Sequence, residues 1–217
     1  MHLLFQDVYL EAVLSTGALL LLVYYHLKLI ARVRREPLKT AVGITNHVRQ
    51  QWVRSIMQDK NDILAVQTMR NGLMAANFLA STAILISLGL LSVAFKPGLF
   101  EQIPQALNLV GVHSEALWLF KTLLLVILFF YAFINFTLTI RYYNHAGFMI
   151  NVHEAHDPTV TPEVVAAVLN HGALHYTMGM RGFYLAIPVG LWMFGPLWML
   201  AGTIMLVCVL NRLDRTA

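Results

Sequence analysis

Four long apolar runs, each bounded by polar or charged residues, divide the chain at about Val8 to Ile30, Leu73 to Phe95, Leu117 to Ile140 and Phe183 to Leu210. A hydrocarbon core about 30 Å thick takes about 20 mostly apolar residues as helix, so each run predicts a membrane crossing. The intervening segments are unequal: about 31–72 and 141–182 on one face, and about 96–116 on the other. The pattern therefore predicts an all-α protein, an integral membrane four-helix bundle with amphipathic cytoplasmic helices, as one membrane domain over residues 1–217.

Within the long loops the periodicity stays helical. From Thr40 to Met57 the apolar Val48, Trp52 and Ile56 recur every fourth residue, the stripe of a helix lying on the bilayer or on the other helices. From Asn61 a second pattern runs without a breaker to Gly72 and predicts a helix continuing into the second span. Thr161-Pro162-Glu163 supplies an N-cap, a first-turn proline and an early acid, so a helix is expected from there to about Met178. Lys96 to Ala116, with an apolar piece from Ile103 to Val112, predicts a compact interfacial cap. Pro188 and Gly195-Pro196 interrupt the last run, which is expected to be bent or partly unwound. Gly179, Gly182, Gly190 and Gly195 permit close helix approach and favour self-association into a homo-oligomer.

Composition agrees with the pattern. Of 217 residues 58% are hydrophobic and 12% charged, with a mean hydropathy of +0.65; soluble domains carry about 25% charged residues. A single cysteine, Cys208, rules out an internal disulfide framework and a Cys-pair metal site.

Charge placement adds an orientation. Asp7 and Glu11 stand where a signal peptide would be basic, and Lys28, Arg32, Arg34 and Arg35 follow the first run, the arrangement of a reverse signal anchor. Eleven of the fifteen basic residues fall on the face of the two long loops; Lys96, Lys121, Arg212 and Arg215 count against it. The positive-inside rule assigns that face to the cytoplasm, so a cytoplasmic (inner) membrane protein with both termini outside is expected. The pI of about 9.3 then reflects contact with anionic membrane lipids, with no nucleic acid.

Polar residues recur on two spans at helical spacing: Gln67, Arg70, Met74, Asn77 and Ser81 on the second, and Tyr131, Asn135, Thr139 and Tyr142 on the third. Polar groups in spans usually turn toward the bundle or a cavity. Both stripes are thus expected to line a cytoplasmic vestibule or to bond helices together. Arg70 beside Asn71, and Arg141 beside Tyr142, end the two helices at one depth, and Arg49, Arg54 and Arg181 bound the same face. Guanidinium forks suit phosphate or carboxylate; Trp52, Tyr143 and Tyr184 would supply aromatic walls. A lipid headgroup or small anion is the expected ligand.

Seven of the nine histidines share that face. His171 and His175 are four apart on a predicted helix, and His145, His153 and His156 lie in the same loop, a candidate set for a transition metal or for axial haem ligation. The string His153-Glu154-Ala155-His156-Asp157 is one residue short of a zincin motif, no Glu-x-x-His repeat supports a di-iron bundle, and no nucleophile elbow or phosphate loop exists.

Trp52-Val53-Arg54, Leu64 through Met74 with its Val-Gln-Thr-Met-Arg-Asn core, Leu79 through Ala83, and Arg141 through Phe148 together resemble the domain of unknown function 599 family. The resemblance covers nearly the whole chain and implies a four-helix integral membrane protein without implying an activity. The residues favour a non-catalytic, homo-oligomeric binding or structural protein with a cytoplasmic-side Arg/Tyr/His pocket. Two alternatives remain: a histidine-ligated haem or metal subunit of a larger membrane redox complex, and a small transporter or channel.

Overall fold

The computed structural model describes residues 2–96, 112, 114–152 and 158–214. Among them it has six α-helices and no strand: α1 (His2–Arg35), α2 (Ala41–Asp59), α3 (Asp62–Ala94), α4 (Glu115–Met149), α5 (Pro162–Trp192) and α6 (Pro196–Leu213). Helices α1, α3, α4 and α6 are long and apolar enough to cross a membrane, so the all-α membrane fold expected from the periodicity is the fold observed. The segment expected to form an interfacial cap falls mostly on residues 97–111 and 113, outside the described residues.

Local sequence sets the helix boundaries. Thr161 accepts a hydrogen bond from Val164 N and precedes Pro162 at the first turn of α5. Thr40, fully buried, accepts from Gly43 N and caps α2 after the 3-10 turn Pro37–Lys39. Helix α3 passes through Gly72 without a break and α4 continues past Ile140 to Met149, so both project beyond a bilayer core on the loop side. The inward stripe of α2 differs from the expected one: Val48 is exposed, and Val53 and Ile56 are buried. That rotation places Asn46 and Arg49 on the packed face, at spacings of three and four from Val53 and Ile56.

The predicted last span is two helices. Gly195 takes a φ of 122° that disfavours any side chain, and Pro196 opens α6. The chain reverses there: a Cβ on Gly202 would lie 3.5 Å from Pro188 Cα, so α6 runs back along α5. Glu11, Lys121 and Trp192 meet at one end of the molecule, and Tyr25, Ala41, Arg181 and Asp214 at the other. Both ends of the chain were expected on one face; instead α1 starts at the far end and Asp214 finishes beside the first basic loop. Arg212 accordingly joins the basic face, while Arg215 lies outside the described residues.

Helices α4 and α5 form the central pair, α3 packs along α4, and α1 and α6 pack on the other side of α5. Lipid tails are as apolar as leucine, so close packing and polar closure, rather than burial from water, hold such a bundle. Gly172, Gly179 and Gly182 turn one face of α5 to α4, where a Cβ on Gly179 would come within 2.7 Å of the Phe136 ring and one on Gly172 within 2.6 Å of Tyr143. Of the glycines expected to permit close helix approach, Gly179 and Gly182 are used inside the chain in this way, Gly195 makes the turn, and a Cβ on Gly190 would have nothing within 4 Å. Thr139 Oγ1 donates to Gly172 O at 3.2 Å across the contact of α4 with α5.

Candidate functional site

The loop-side ends of α2, α3, α4 and α5 close over a cluster of Val53, Ile56, Ala65, Met69, Ala146, Ile150, Val165 and Leu169. Beside it lies an open pocket of about 340 Å³ whose walls include Arg49, Trp52, Thr68, Gly72 and Tyr143. A second pocket of about 230 Å³, between α2 and α5, includes Thr45, Asn46, Arg49 and Thr177. Arg49 is common to both. Its Nη1 donates to Asn170 Oδ1 at 2.6 Å and to Asn46 Oδ1 at 3.0 Å. Burial holds this guanidinium below its ordinary pKa, with Tyr143 near by acting in the opposite direction; arginine nevertheless stays charged at neutral pH. Among the described residues no carboxylate pairs with it. Two amide oxygens therefore hold a partly buried cation whose charge they do not neutralise.

The other arginines expected to converge there are committed elsewhere or exposed. Arg54 pairs with Glu163 at 3.0 Å on the surface. Arg181 Nη2 donates to both carboxylate oxygens of Asp214 at 2.9 Å, and Tyr25 Oη donates to the same group at 2.5 Å, a triad that ties α1 and α5 to the end of α6. Its Nη1 is buried without a partner. Arg70, Asn71 and Arg141 are exposed on the outer surface. Of the expected aromatic walls, Trp52 and Tyr143 line the Arg49 pocket, and Tyr184 packs with Tyr25, Leu206 and Leu210 instead.

The two polar stripes do not meet. Asn135 and Thr139 are buried on α4. Asn135 Nδ2 donates to Tyr131 O at 2.9 Å, which leaves its Oδ1 as acceptor for His175 Nδ1 at 3.0 Å and fixes the hydrogen of that ring on Nδ1. Gln67, Asn77 and Ser81 on α3 are exposed, so no vestibule forms between the two rows.

Tyr142 stacks on both His171 and His175, with ring centroids 5.8 and 5.5 Å away. His171 Nδ1 donates to Ala167 O at 2.8 Å, and His145 is exposed on α4. Among the described residues no group of three His, Cys, Asp or Glu side chains comes together to hold a metal; His153 and His156 lie outside them.

Three features were missed by sequence reasoning. Asn46 and Asn170 were not singled out, although the 46–49–53–56 spacing marks one face of α2. Asp214, near the chain end, carried no signal for a partnership with Arg181 and Tyr25. The third is an ion pair at the far end: Lys121 Nζ lies 2.8 Å from Glu11 Oε1, both side chains 7% exposed. Trp192 Nε1 donates to the same oxygen at 2.8 Å, and Lys121 also donates to Trp192 O.

A family model described as "Protein of unknown function, DUF599" matches residues 13–217. No curated protein matches the chain, and no solved structure does.

Proposed function

The chain belongs to the DUF599 family, whose function is unknown, and from its own residues we propose that it is a non-catalytic, multi-pass protein of the cytoplasmic membrane that binds a phosphate- or carboxylate-bearing group at Arg49. The observation that carries this reading is the inward guanidinium, held by Asn46 and Asn170 and matched by no carboxylate among the described residues. Even a partly buried charge without a counter-charge carries a desolvation cost, and an anion seated in the pocket offsets it. Trp52 and Tyr143 then pack on whatever the anion is attached to. The depth of the pocket, where α3, α4 and α5 leave the apolar zone, suits a lipid headgroup.

Orientation follows from charge. Arg212 adds to the basic face, and the positive-inside rule puts that face in the cytoplasm, with the start of α1 outside. A reporter fused after the last residue is expected to be cytoplasmic; a periplasmic or extracellular signal overturns this orientation.

The binding test uses purified protein in nanodiscs. Arg49→Gln is expected to weaken retention of an anionic phospholipid at least tenfold relative to a zwitterionic one, and Arg54→Gln to leave it unchanged. Competition by inorganic phosphate distinguishes a free anion from a lipid headgroup. Equal retention by wild type and Arg49→Gln removes the site.

A further inference from the structure

Asn77 and Ser81 stand about 6 and 12 Å inside the start of the apolar run at Leu73, from a rise of 1.5 Å per residue. Both are exposed, and neither has a hydrogen-bond partner among the described residues. Other polar residues of the bundle behave differently: Ser87, on the inward face of α3, donates to Ala83 O, and Asn135 bonds to Tyr131 and His175. An amide left open to hydrocarbon lacks the water that would satisfy it, so Asn77 needs a partner that the described residues do not supply.

We propose that the outward face of α3 is the contact between two copies of this chain, paired as parallel helices about a two-fold axis along the membrane normal. The proposal is independent of the Arg49 pocket. The position, spacing and self-complementary chemistry of that face support a second copy as the occupant. Helix α3 is an edge helix, packed in the membrane mainly against α4, and its far face is exposed. Gln67, Arg70, Met74, Asn77 and Ser81 follow steps of three and four, the seam presented by helices crossing at about +20°. Two copies share one orientation in the bilayer, so a two-fold contact sets each residue against itself. Asn77, Ser81 and Gln67 each carry both a donor and an acceptor, so each complements its own copy. The like-charged Arg70 stands at the loop end, outside the apolar run, where water and lipid phosphates reach it. Leu85 and Leu88, 69% and 51% exposed, continue the seam as packing residues.

The test is a cysteine scan of the full chain in native membranes, in a Cys208→Ser background because Cys208 is exposed on α6. Met74→Cys, Asn77→Cys and Ser81→Cys are expected to give disulfide-linked dimers of twice the chain mass on oxidation. Ala75→Cys and Ile86→Cys, exposed roughly a third of a turn around the helix, are expected to give at least fivefold less. Equal linking at the flank positions, no linking at all, or products that contain a different protein each overturn the proposal. In parallel, Asn77→Leu is expected to lower the dimer fraction about three- to tenfold while Asn77→Gln retains it; an unchanged fraction for Asn77→Leu overturns it as well.

Discussion

Helices α3 and α4 carry similar rows of polar residues at similar depth, yet the fold turns them in opposite directions. On α4, Asn135 and Thr139 face α5 and are closed by Tyr131 O, His175 and Gly172 O. On α3, Gln67, Asn77 and Ser81 face outward, and the inward face is Ala65, Met69, Ala76, Ala80 and Ala83. Polarity at helical spacing thus marks a face that must meet something; what it meets depends on where the helix sits. The central helix satisfies its row within the chain. The edge helix finds no partner for its row among the described residues, and we assign that row to a second copy.

If inward polar groups are structural, removing them costs folding stability, and the size of the loss ranks how completely each is enclosed. The largest loss is expected at the far end. Lys121→Ala leaves the Glu11 carboxylate buried and unpaired, a cost of about 3–5 kcal/mol. Glu11→Leu combined with Lys121→Met should recover most of it, measured by unfolding in detergent; equal loss in the double variant would show that the ion pair is not what is being removed. Gly179→Val drives a side chain into Phe136 and should destabilise by about 1–3 kcal/mol through overpacking; a neutral outcome would mean that α4 and α5 are not in such close contact. At the exposed edge the effect shrinks to a pH dependence. The Glu163 carboxyl is held below its usual range by its own backbone N–H at the start of α5 and by Arg54. Its contribution is therefore present above the ordinary carboxylate value and disappears as pH falls through the lowered one. Glu163→Gln should flatten that part of the stability profile, read by thermal unfolding across acidic pH.

How much was legible in the sequence follows from which interactions are local. Helix starts are local, and Thr161-Pro162-Glu163 fixed the start of α5 where it was expected. The first three apolar runs each match one span-length helix, because bilayer thickness sets their length. The hairpin at Gly195 was half visible: the break was marked, but the return of α6 along α5 depends on Gly202 and Leu191, whose meeting no local pattern encodes. The arginines show the same limit. All five bound one surface in sequence, and long-range partners sorted them: Glu163 takes Arg54, Asp214 takes Arg181, and Arg49 is left facing inward with amides alone. The direction expected of both stripes, into the bundle, is found on α4 and not on α3, since the two helices differ in neighbours rather than in periodicity.

The contrast between the two rows is tested most directly by placing the same substitution in each, Asn77→Leu on α3 and Asn135→Leu on α4, and measuring unfolding free energy and dimer fraction for both. Asn135→Leu strands the partly buried Nδ1–H of His175 and is expected to cost about 1–3 kcal/mol, with the dimer fraction of folded protein unchanged. Asn77→Leu is expected to stay within about 0.5 kcal/mol in stability and to lose dimer about three- to tenfold. Two variants that both lose stability and keep the dimer, or that lose both together, would contradict the account.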